Sequence, residues 1–439
     1  MGVWGLGTEG RASVALLRRL DAEVVVVDDD PAATPLATAD GDLDPLQVVA
    51  TVTGGLDLLA TCDVVVKAPG ISRYRPEVRA LFDAGISVTG GLALWMADGP
   101  LSRVIAVTGT KGKSTATAIL AHILAGLGYC CHSGGNLGRP PWDPDGPGFG
   151  ADGTDWWVVE VSSFQAADIS VRPPVVAVTS LHPDHLDWHG GEERYYADKL
   201  SLCTRPGGRA TVAADTPELR LHERLLGAPI AWAAEADADG WAETLGLPGT
   251  HNRRNAAVVR GCLRAIGEPA AAQAHRLAEA ATGFAALPDR LELVARIGGV
   301  DFVNDSLATN VGPTIAALDA YAHRRVALLV GGFDRGLDYS PLAARLGRAT
   351  RPTLVLTLPD NGPAIGHQLR TGLGANRIGD AGQVTVVDQP DLAAATTAAW
   401  TWAQPDGVVL LSPAAPSFGR YRNHTERAQG FLAAIGLCR

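Results

Sequence analysis

The sequence predicts an α/β protein of three domains with mostly parallel sheets. Short runs of β-branched apolar residues alternate with Ala- and Leu-rich helical stretches along nearly the whole chain, which is typical of parallel sheets covered by helices. The length of 439 residues allows about three domains of common size. Two Gly-rich turns, beginning at Gly5 and Gly109, each stand between an apolar strand and a helical stretch. Both turns are therefore expected at ligand-binding edges of their sheets.

The predicted domains follow from where these patterns begin and end. Residues 1–99 form a Rossmann-like domain, and its abrupt opening on Val3-Trp4 suggests that a few residues of the first strand are missing. Residues 100–286 form a P-loop ATPase-like parallel sheet with flanking helices, and residues 287–439 form a second Rossmann-like domain. Arg139 to Gly153 is rich in Pro and Gly and is predicted to be a loop. The predicted strands are Val24–Val27, Val64–Val66, Val104–Val107, Trp157–Val161, Val175–Thr179, Val326–Val330, Thr353–Leu358, Val384–Val387 and Val408–Leu411, and the predicted helices are Ser114 to about Leu127, His251–Ile266 and Ala270–Thr282.

The composition excludes several classes of protein. The net charge is −10, whereas a nucleic-acid-binding protein needs a basic face. The six cysteines form no CxxC pair, which favours reduced thiols in the cytoplasm. No signal peptide is visible, and no apolar run approaches the roughly 20 residues of a membrane span. We expect a cytoplasmic monomer that works without nucleic acid or membrane.

A phosphate-binding turn is predicted between the strand ending at Val107 and the helix beginning at Ser114. Glycines there let backbone N–H groups converge, Lys113 can reach the terminal phosphates of ATP, and the Ser114 hydroxyl can bind Mg²⁺. The strict Walker pattern has Gly where Val107 stands, so this turn is a variant. The alternative is a structural Gly-rich turn with an incidental lysine. The predicted ATP-binding residues of the turn are Gly109, Thr110, Lys111, Gly112, Lys113, Ser114 and Thr115.

The first Gly-rich turn is less specific. Residues Gly5 to Gly10 fit the pattern GxGxxG, and Asp28 follows at the end of the next strand, as in dinucleotide sites. The same turn can hold any diphosphate, or it can be purely structural. A chain that carries both turns needs a function that involves two nucleotides.

Polar side chains follow two strands of the central block. Glu160 ends one strand, and His182 to His189 follow the next, so both are expected at the sheet edge that carries the phosphate-binding turn. Carboxylate and imidazole there can bind Mg²⁺ that bridges phosphates, whereas a zinc site lacks a supporting cysteine. By itself, Lys199 is typical of an exposed helix lysine. Asn252 and Asn255 share a helix face and could contact a nucleobase or ribose, or could cap the helix.

Three polar loops of the third block also follow strands. They comprise Asn304–Asn310, Gly331–Gly336 and Ser412–Gly419. Loops at the carboxyl ends of strands form the ligand edge of an open α/β sheet.

Taken together and in order, the motifs resemble those of the Mur ligases, and most closely the MurD type. The resemblance spans essentially the whole chain. It rests on GTKGKST, EVSSFQ, HPDHLD with a lysine fourteen residues beyond His185, HNRRN, LPDRLE, NDSLATN, GGFDRG and LLSPAAPSF. It implies a UDP-binding domain, a central ATPase domain, and a C-terminal domain that closes over ATP and presents the amino acid.

The resemblance implies ATP-dependent ligation of UDP-N-acetylmuramoyl-L-alanine to glutamate through an acyl phosphate, in cell-wall precursor synthesis. The implied catalytic residues are Lys113, Glu160, His185 and Lys199; the implied Mg²⁺ ligands are Ser114, Glu160, His185 and Lys199 as a carbamate. Asn255, Arg290 and Asp305 would hold adenosine and phosphates; Gly7, Thr8, Asp28 and Gly70 would hold UDP, with Asn136 and His185 near the muramoyl arm; Thr309, Arg335 and Ser417 would face the amino acid.

The departures from the family pattern lie in the amino-acid-handling domain. The usual MurD type has Lys where Leu307 and Arg335 stand, and its last motif usually reads CAS followed by an acidic residue, where this chain reads Ala415 to Tyr421. Arginine grips a carboxylate differently from lysine. The combination resembles the variant that adds L-glutamate, whose product a separate epimerase inverts, and D-glutamate is the alternative. Rivals from other classes are a nicotinamide oxidoreductase and a non-catalytic UDP-sugar-binding protein.

Overall fold

Three sheets organise the chain, as the computed structural model of residues 1–31, 47–136, 138–147, 149–150, 153–374 and 383–438 describes it. The chain divides into two compact units. The first contains residues Met1–Leu245 and Arg253–Phe284, and the second contains Gly246–Asn252 and Ala285–Arg439. The first unit holds two sheets and the second holds one. The predicted α/β class is confirmed, while the three domain boundaries stay a prediction.

The amino-terminal sheet has the strand order β3-β2-β1-β4-β5, and its neighbouring strands pair in parallel. The Gly-rich turn joins β1 to α1 so closely that a Cβ added to Gly10 would lie 1.8 Å from the Gly5 carbonyl oxygen. Only glycine fits there, which is the close helix–strand packing expected of such a turn. The elements are β1 (Gly2–Trp4), α1 (Thr8–Arg19), β2 (Val25–Asp28), β3 (Val48–Ala50), α2 (Leu56–Leu59), β4 (Val64–Lys67), α3 (Pro76–Asp83), β5 (Ser87–Gly90) and α4 (Gly91–Asp98).

The central sheet has the order β11-β10-β9-β6-β8-β7 and is parallel at each described pairing. The predicted strands of this block are confirmed within one residue at each end. The predicted helix Ala270–Thr282 is wrong at its start, because Pro269–Ala272 forms a separate 3₁₀ turn. The elements are β6 (Val104–Thr108), α5 (Lys113–Gly126), β7 (Cys131–Gly135), β8 (Trp156–Glu160), α6 (Ser163–Ala166), β9 (Val175–Val178), α7 (Leu186–His189), α8 (Glu192–Lys199), α9 (Ser201–Thr204), β10 (Ala210–Ala214), α10 (Pro217–Leu221), β11 (Ile230–Ala233), α11 (Thr250–Ile266) and α12 (Ala274–Ala281).

The carboxyl-terminal sheet has the order β12-β13-β17-β14-β15-β16. An antiparallel hairpin, turning at Gly298-Gly299, opens it, and the other pairs are parallel. Residues of α13, α14 and α15 pack in one core cluster and residues of α16 and α17 in another. The elements are β12 (Glu292–Ile297), β13 (Val300–Asn304), α13 (Val311–Ala320), β14 (Val326–Val330), α14 (Ser340–Leu346), β15 (Thr353–Thr357), α15 (Gly362–Leu373), β16 (Val384–Asp388), α16 (Leu392–Ala403), β17 (Val408–Leu411) and α17 (His424–Ile435).

The position of a crevice in this sheet follows from the sides on which its helices pack. The loop after β14 leads to α14, on the face of the first cluster, whereas the loop after the neighbouring β17 leads to α17, on the other face. Such a change of side between adjacent strands opens a crevice at their carboxyl ends, where ligands of open α/β sheets bind. Within the described ranges, no helix is long and apolar enough to cross a membrane.

Candidate active site

The phosphate-binding turn is held in place by the neighbouring strand loop. The Thr110 backbone N–H donates to the Ser180 carbonyl at 2.9 Å, and the Lys111 N–H donates to the Ser180 hydroxyl at 2.8 Å. The Thr110 hydroxyl donates to the His182 carbonyl at 2.9 Å. Helix α5 then begins at Lys113, with Ser114 buried in its first turn. The positive end of the helix therefore meets a fixed Gly-rich loop, which is the architecture of an anion site.

Asn255 lies directly against this turn. Gly112 has φ +89°, and a Cβ added to it would lie 2.4 Å from Asn255 Oδ1. The second amide of the pair, Asn252, donates from Nδ2 to the Pro248 carbonyl at 2.8 Å. Asn252 belongs to the second compact unit and Asn255 to the first. Asn255 is therefore an amide that the structure places beside the phosphate loop.

Glu160 offers an oxygen ligand next to the same turn. It ends β8, whose register places it beside Val107 of β6, and it is 1% exposed. Asn136 Nδ2 donates to Glu160 Oε1 at 2.6 Å, which brings two predicted site residues together. Glu160 Oε2 is buried without a hydrogen-bond partner among the described residues. A buried carboxylate oxygen in that state fits a bound cation, so the residues present suit Mg²⁺.

Lys199 is buried, so its interpretation as an exposed helix lysine is wrong. It ends α8, is 2% exposed, and lies with Nζ 3.0 Å from the Gly109 carbonyl. Burial, reinforced by the positive charge of Lys113, lowers the pKa of Lys199 well below its usual range. A lowered pKa favours the neutral amine, which is the form that can react with carbon dioxide to give a carbamate.

His185 stands at the rim of this region. Its backbone has φ 50°, its side chain is 53% exposed, and its ring centroid lies 4.9 Å from that of Phe164. Partial burial lowers the pKa of His185 despite the opposing charge of Asp184, which favours the neutral imidazole, the form that binds metal ions. No group of three His, Cys, Asp or Glu side chains suited to a metal occurs in the described part of the chain, so the zinc alternative gains no support.

The predicted UDP-binding residues lie at the carboxyl edge of the amino-terminal sheet. Gly7 and Thr8 are exposed at the start of α1, and Gly70 is exposed after β4, which pairs with β1. Asp28 Oδ2 accepts from the Leu6 N–H at 2.6 Å, and its Oδ1 accepts from the Asp30 N–H at 2.9 Å. The carboxylate of Asp28 therefore braces the Gly-rich turn itself, in addition to any ligand contact.

The remaining predicted residues lie in the second unit. Asp305 is 7% exposed and accepts from the Ser412 hydroxyl at 2.7 Å; burial raises the pKa of Asp305 to about 7, and the charge of Arg290 opposes that shift. Thr309 is half-buried just before α13, whereas Arg335 is exposed on the loop after β14.

Ser417 is buried and lines a small cavity of about 40 Å³ at the crevice between β14 and β17. Sequence reasoning missed three of its lining side chains, Arg420, Tyr421 and Arg427. Arg420 and Tyr421 belong to the last motif, where this chain differs from the usual MurD pattern. That difference was the sequence feature that could have pointed to them. Within the described residues, Arg335 is not part of the lining.

Comparisons with known proteins match this chain to Mur ligases along nearly its whole length. Family models described as Mur ligase MurD-like N-terminal domain, Mur ligase middle domain, and Mur ligase glutamate ligase domain match residues 1–90, 107–242 and 289–415. The chain is 40% identical to a UDP-N-acetylmuramoyl-L-alanine–L-glutamate ligase of a Micromonospora species, across 99% of this chain and 95% of that protein. It is 39% identical to the ligase of the same name from Xanthomonas axonopodis pv. citri, across 99% and 94%.

Solved structures share the fold. The MurC ligase of Thermotoga maritima matches with a TM-score of 0.57 at 17% identity, covering 100% of this chain and 99% of that one. The MurF ligase of the same organism, solved with ADP, matches with a TM-score of 0.57 at 14% identity, covering 99% and 94%. With relatives up to 40% identical over 99% of its length, the chain belongs to the Mur ligase family of ATP-dependent ligases and carries a MurD-like amino-terminal domain.

Proposed function

We propose that this chain joins UDP-N-acetylmuramoyl-L-alanine to glutamate at the expense of ATP, in cytoplasmic peptidoglycan precursor synthesis, and that it prefers L-glutamate. The observation that carries the proposal is the buried amine of Lys199, which lies 3.0 Å from the carbonyl oxygen of Gly109 in the phosphate-binding turn. The curated relatives bear the name of that reaction at up to 40% identity. A nicotinamide oxidoreductase or a UDP-sugar-binding protein would have no use for this turn.

The proposed reaction has two steps. A carboxylate oxygen of the alanyl group attacks the γ-phosphorus of ATP, the bond to the β-phosphate oxygen breaks, and ADP leaves with an acyl phosphate formed. The glutamate amine nitrogen then attacks the acyl carbon, loses a proton, and expels inorganic phosphate from the tetrahedral intermediate. Lys113 is suited to neutralise the charge that gathers on the transferred phosphoryl group.

Mg²⁺ would be held by Ser114, Glu160, His185 and the carbamate of Lys199. When bound, it would neutralise phosphate charge and polarise the transferred group. The partnerless oxygen of Glu160 and the lowered pKa of Lys199 support this set. Carbamylation turns a neutral amine into an anionic oxygen ligand of the kind that Mg²⁺ prefers.

Other residues are proposed to contact the nucleotide and the UDP substrate. Asn255, which lies beside Gly112, would contact ATP. Arg290 and Asp305 are the other residues proposed to hold adenosine and phosphates. Gly7, Thr8, Asp28 and Gly70 would hold the UDP group, and Asn136 the muramoyl arm.

The preference for L-glutamate rests on the amino-acid-handling residues. The amine of either enantiomer must reach the same acyl phosphate, so the carboxylate anchors must differ between L- and D-specific enzymes. The second unit contains the residues that depart from the usual MurD pattern, which are Leu307, Arg335 and Ala415 to Tyr421. It also contains the predicted contacts Thr309 and Ser417. A separate epimerase that inverts the product would be the partner enzyme.

The deciding experiment is an amino-acid screen with UDP-N-acetylmuramoyl-L-alanine and ATP. Phosphate release and product mass are measured with L-glutamate, D-glutamate and the other amino acids, and kcat/KM is compared between the two enantiomers. We expect clear preference for L-glutamate. Preference for D-glutamate would leave the ligase proposal standing and overturn the stereochemical one. ATP turnover independent of the UDP substrate would overturn both.

A further inference from the structure

A chain of hydrogen-bonded side chains in the first unit takes no part in the proposed chemistry. His189 Nδ1 lies 2.6 Å from Asp198 Oδ2, and its Nε2 lies 3.0 Å from the Ser163 hydroxyl. Asp198 also accepts a hydrogen bond of 2.8 Å from the Tyr74 hydroxyl. His189 is 0% exposed and Ser163 is 2% exposed. These four residues are called the His189 network below.

The hydroxyl, imidazole and carboxylate have the order of a nucleophilic triad, yet their burial excludes that role. A serine nucleophile must reach the carbonyl of its substrate, and its histidine must pass a proton to the leaving group. Neither Ser163 nor His189 has the exposure to do so. The aromatic rings of Phe164, Trp188 and Tyr195 also surround the imidazole, at centroid distances of 5.7, 4.5 and 5.3 Å. The network therefore acts on the protein itself.

The imidazole joins the two segments that carry proposed Mg²⁺ ligands. Ser163 opens α6, three residues after Glu160 at the end of β8. Asp198 is in the last turn of α8, next to Lys199. One rigid side chain with a bond at each ring nitrogen thus fixes the spacing between the strand end that bears Glu160 and the helix that bears Lys199.

The same network reaches the predicted UDP-binding loop. Tyr74 lies on the loop after β4 that also carries Gly70. On that loop, the Ser72 hydroxyl donates to the Trp188 carbonyl at 2.9 Å, and Trp188 Nε1 donates to the Gly70 carbonyl at 3.2 Å. Because Trp188 and His189 are neighbours at the end of α7, the loop and the two ligand-bearing segments are tied to one point.

We propose that His189 is a positioning residue of this enzyme, holding the Glu160 and Lys199 segments at the spacing that Mg²⁺ and nucleotide need and linking them to the Gly70 loop. The inference rests on the proposed function. Partners just outside a metal's ligands orient those ligands, and their loss usually lowers metal affinity or activity by about 10–100-fold.

The test compares variants that cut the network at different bonds. His189→Leu removes both imidazole bonds, Ser163→Ala removes one, and His189→Gln keeps an amide donor and acceptor. His275→Leu, at an exposed helix position, is the matched control. For each folded variant, calorimetry gives the affinity for a non-hydrolysable ATP analogue with and without Mg²⁺, and phosphate release gives kcat and each KM.

We expect His189→Leu to lose about 10–100-fold both in kcat and in the affinity gained from Mg²⁺, with nucleotide affinity in the absence of Mg²⁺ unchanged. Ser163→Ala should lose less, His189→Gln should recover part of the loss, and the control should match the wild type. Tyr74→Phe should raise KM for the UDP substrate and leave the Mg²⁺ effect on nucleotide affinity intact.

Folded His189→Leu and Ser163→Ala proteins with wild-type kcat and a wild-type Mg²⁺ effect would overturn the inference. An equal loss of nucleotide affinity with and without Mg²⁺ would also overturn it, because a non-specific loss of structure around the site would have that effect. If the wild type binds the analogue with Mg²⁺ and yet ligates no amino acid, the proposed function fails, and the binding data still decide whether His189 positions the two segments.

Discussion

The ligand edge of the central sheet and that of the carboxyl-terminal sheet are built in different ways. At the central edge, Glu160 and Lys199 are 1% and 2% exposed. Glu160 accepts a hydrogen bond from Asn136, and Lys199 donates one to the Gly109 carbonyl. At the carboxyl-terminal edge, Phe333 and Phe418 are 48% and 57% exposed, and Arg335 is exposed between them in sequence.

The difference in burial between the two edges fits the different ligands that they are proposed to bind. Charge on a transferred phosphoryl group is stabilised best by dipoles and cations that are fixed before the reaction, in a site that excludes water. An incoming amino acid must enter and leave, and loops between a strand and a helix allow side chains to adapt. On the proposed function, we therefore expect changes of amino-acid substrate to involve the loops of the second unit, and the phosphate chemistry to depend on the buried edge of the first.

The largest effect is expected for Lys113→Ala. The change removes a fixed cation from the phosphoryl group in the transition state, so kcat should fall by at least about 10²–10³-fold in a phosphate-release assay. The comparison within the predicted ATP-binding turn is Lys111→Ala, which instead removes an ammonium paired with Asp184 at 3.1 Å on the exposed rim. We expect Lys111→Ala to lose less than about tenfold. Equal losses would show that the buried edge does not depend on Lys113 in particular.

The next effect is expected for Lys199→Ala, which should lose most of the activity because an anionic Mg²⁺ ligand disappears. In the wild type, ¹³C-bicarbonate should give a carbamate signal that the variant lacks. Because only the neutral amine reacts with carbon dioxide, and burial lowers the pKa of Lys199, the signal should persist at neutral pH and weaken as the solution is made acidic. A crystal map with a free ammonium beside a bound Mg²⁺–nucleotide would contradict this expectation.

A smaller effect is expected at the exposed edge. Arginine can hold a carboxylate through two parallel bonds, so Arg335→Lys should weaken glutamate binding by about 1–3 kcal/mol while ATP affinity changes little. The measurement is KM for glutamate beside the affinity for an ATP analogue. Arg351→Lys, an exposed arginine of the same unit, serves as the control. A fall in ATP affinity instead would show that the two edges are not separable in function.

The smallest effect is expected from pH at the first Gly-rich turn. Burial raises the pKa of Glu9 to about 7, although the bond from Gln165 opposes the shift. Since the folded pKa lies above the unfolded value, Glu9 makes the free energy of unfolding fall as pH rises from about 4.5 to about 7. Ionised Glu9 should also repel a diphosphate, so UDP affinity should weaken a few-fold between pH 6 and 8.

Glu9→Gln should remove most of that pH dependence in calorimetric titrations with UDP, and Glu23→Gln, at an exposed position of the same sheet domain, should leave it as in the wild type. An unchanged slope in Glu9→Gln would assign the pH dependence to another group.

Much of this molecule could be predicted from the sequence, because the signals were local. The alternation of β-branched strands and helical stretches gave the fold class, and the strands Val326–Val330 and Val408–Leu411 were predicted to the residue. Edge strands such as Cys131–Gly135 were not predicted, since Cys-His-Ser-Gly-Gly has no apolar run and its pairing depends on β8.

The sequence by itself determined the phosphate turn, because glycine spacing, lysine and the strand–helix context are all read within one short segment. Only the tertiary structure decided the burial of Lys199, since no local feature of Tyr-Ala-Asp-Lys-Leu predicts that the amine lies beside Gly109, 90 residues away. The His189 network was likewise beyond sequence reasoning. Its bonds join residues of three helices and one loop. The burial of His189, which makes it a fixed spacer, is a property of the packed chain.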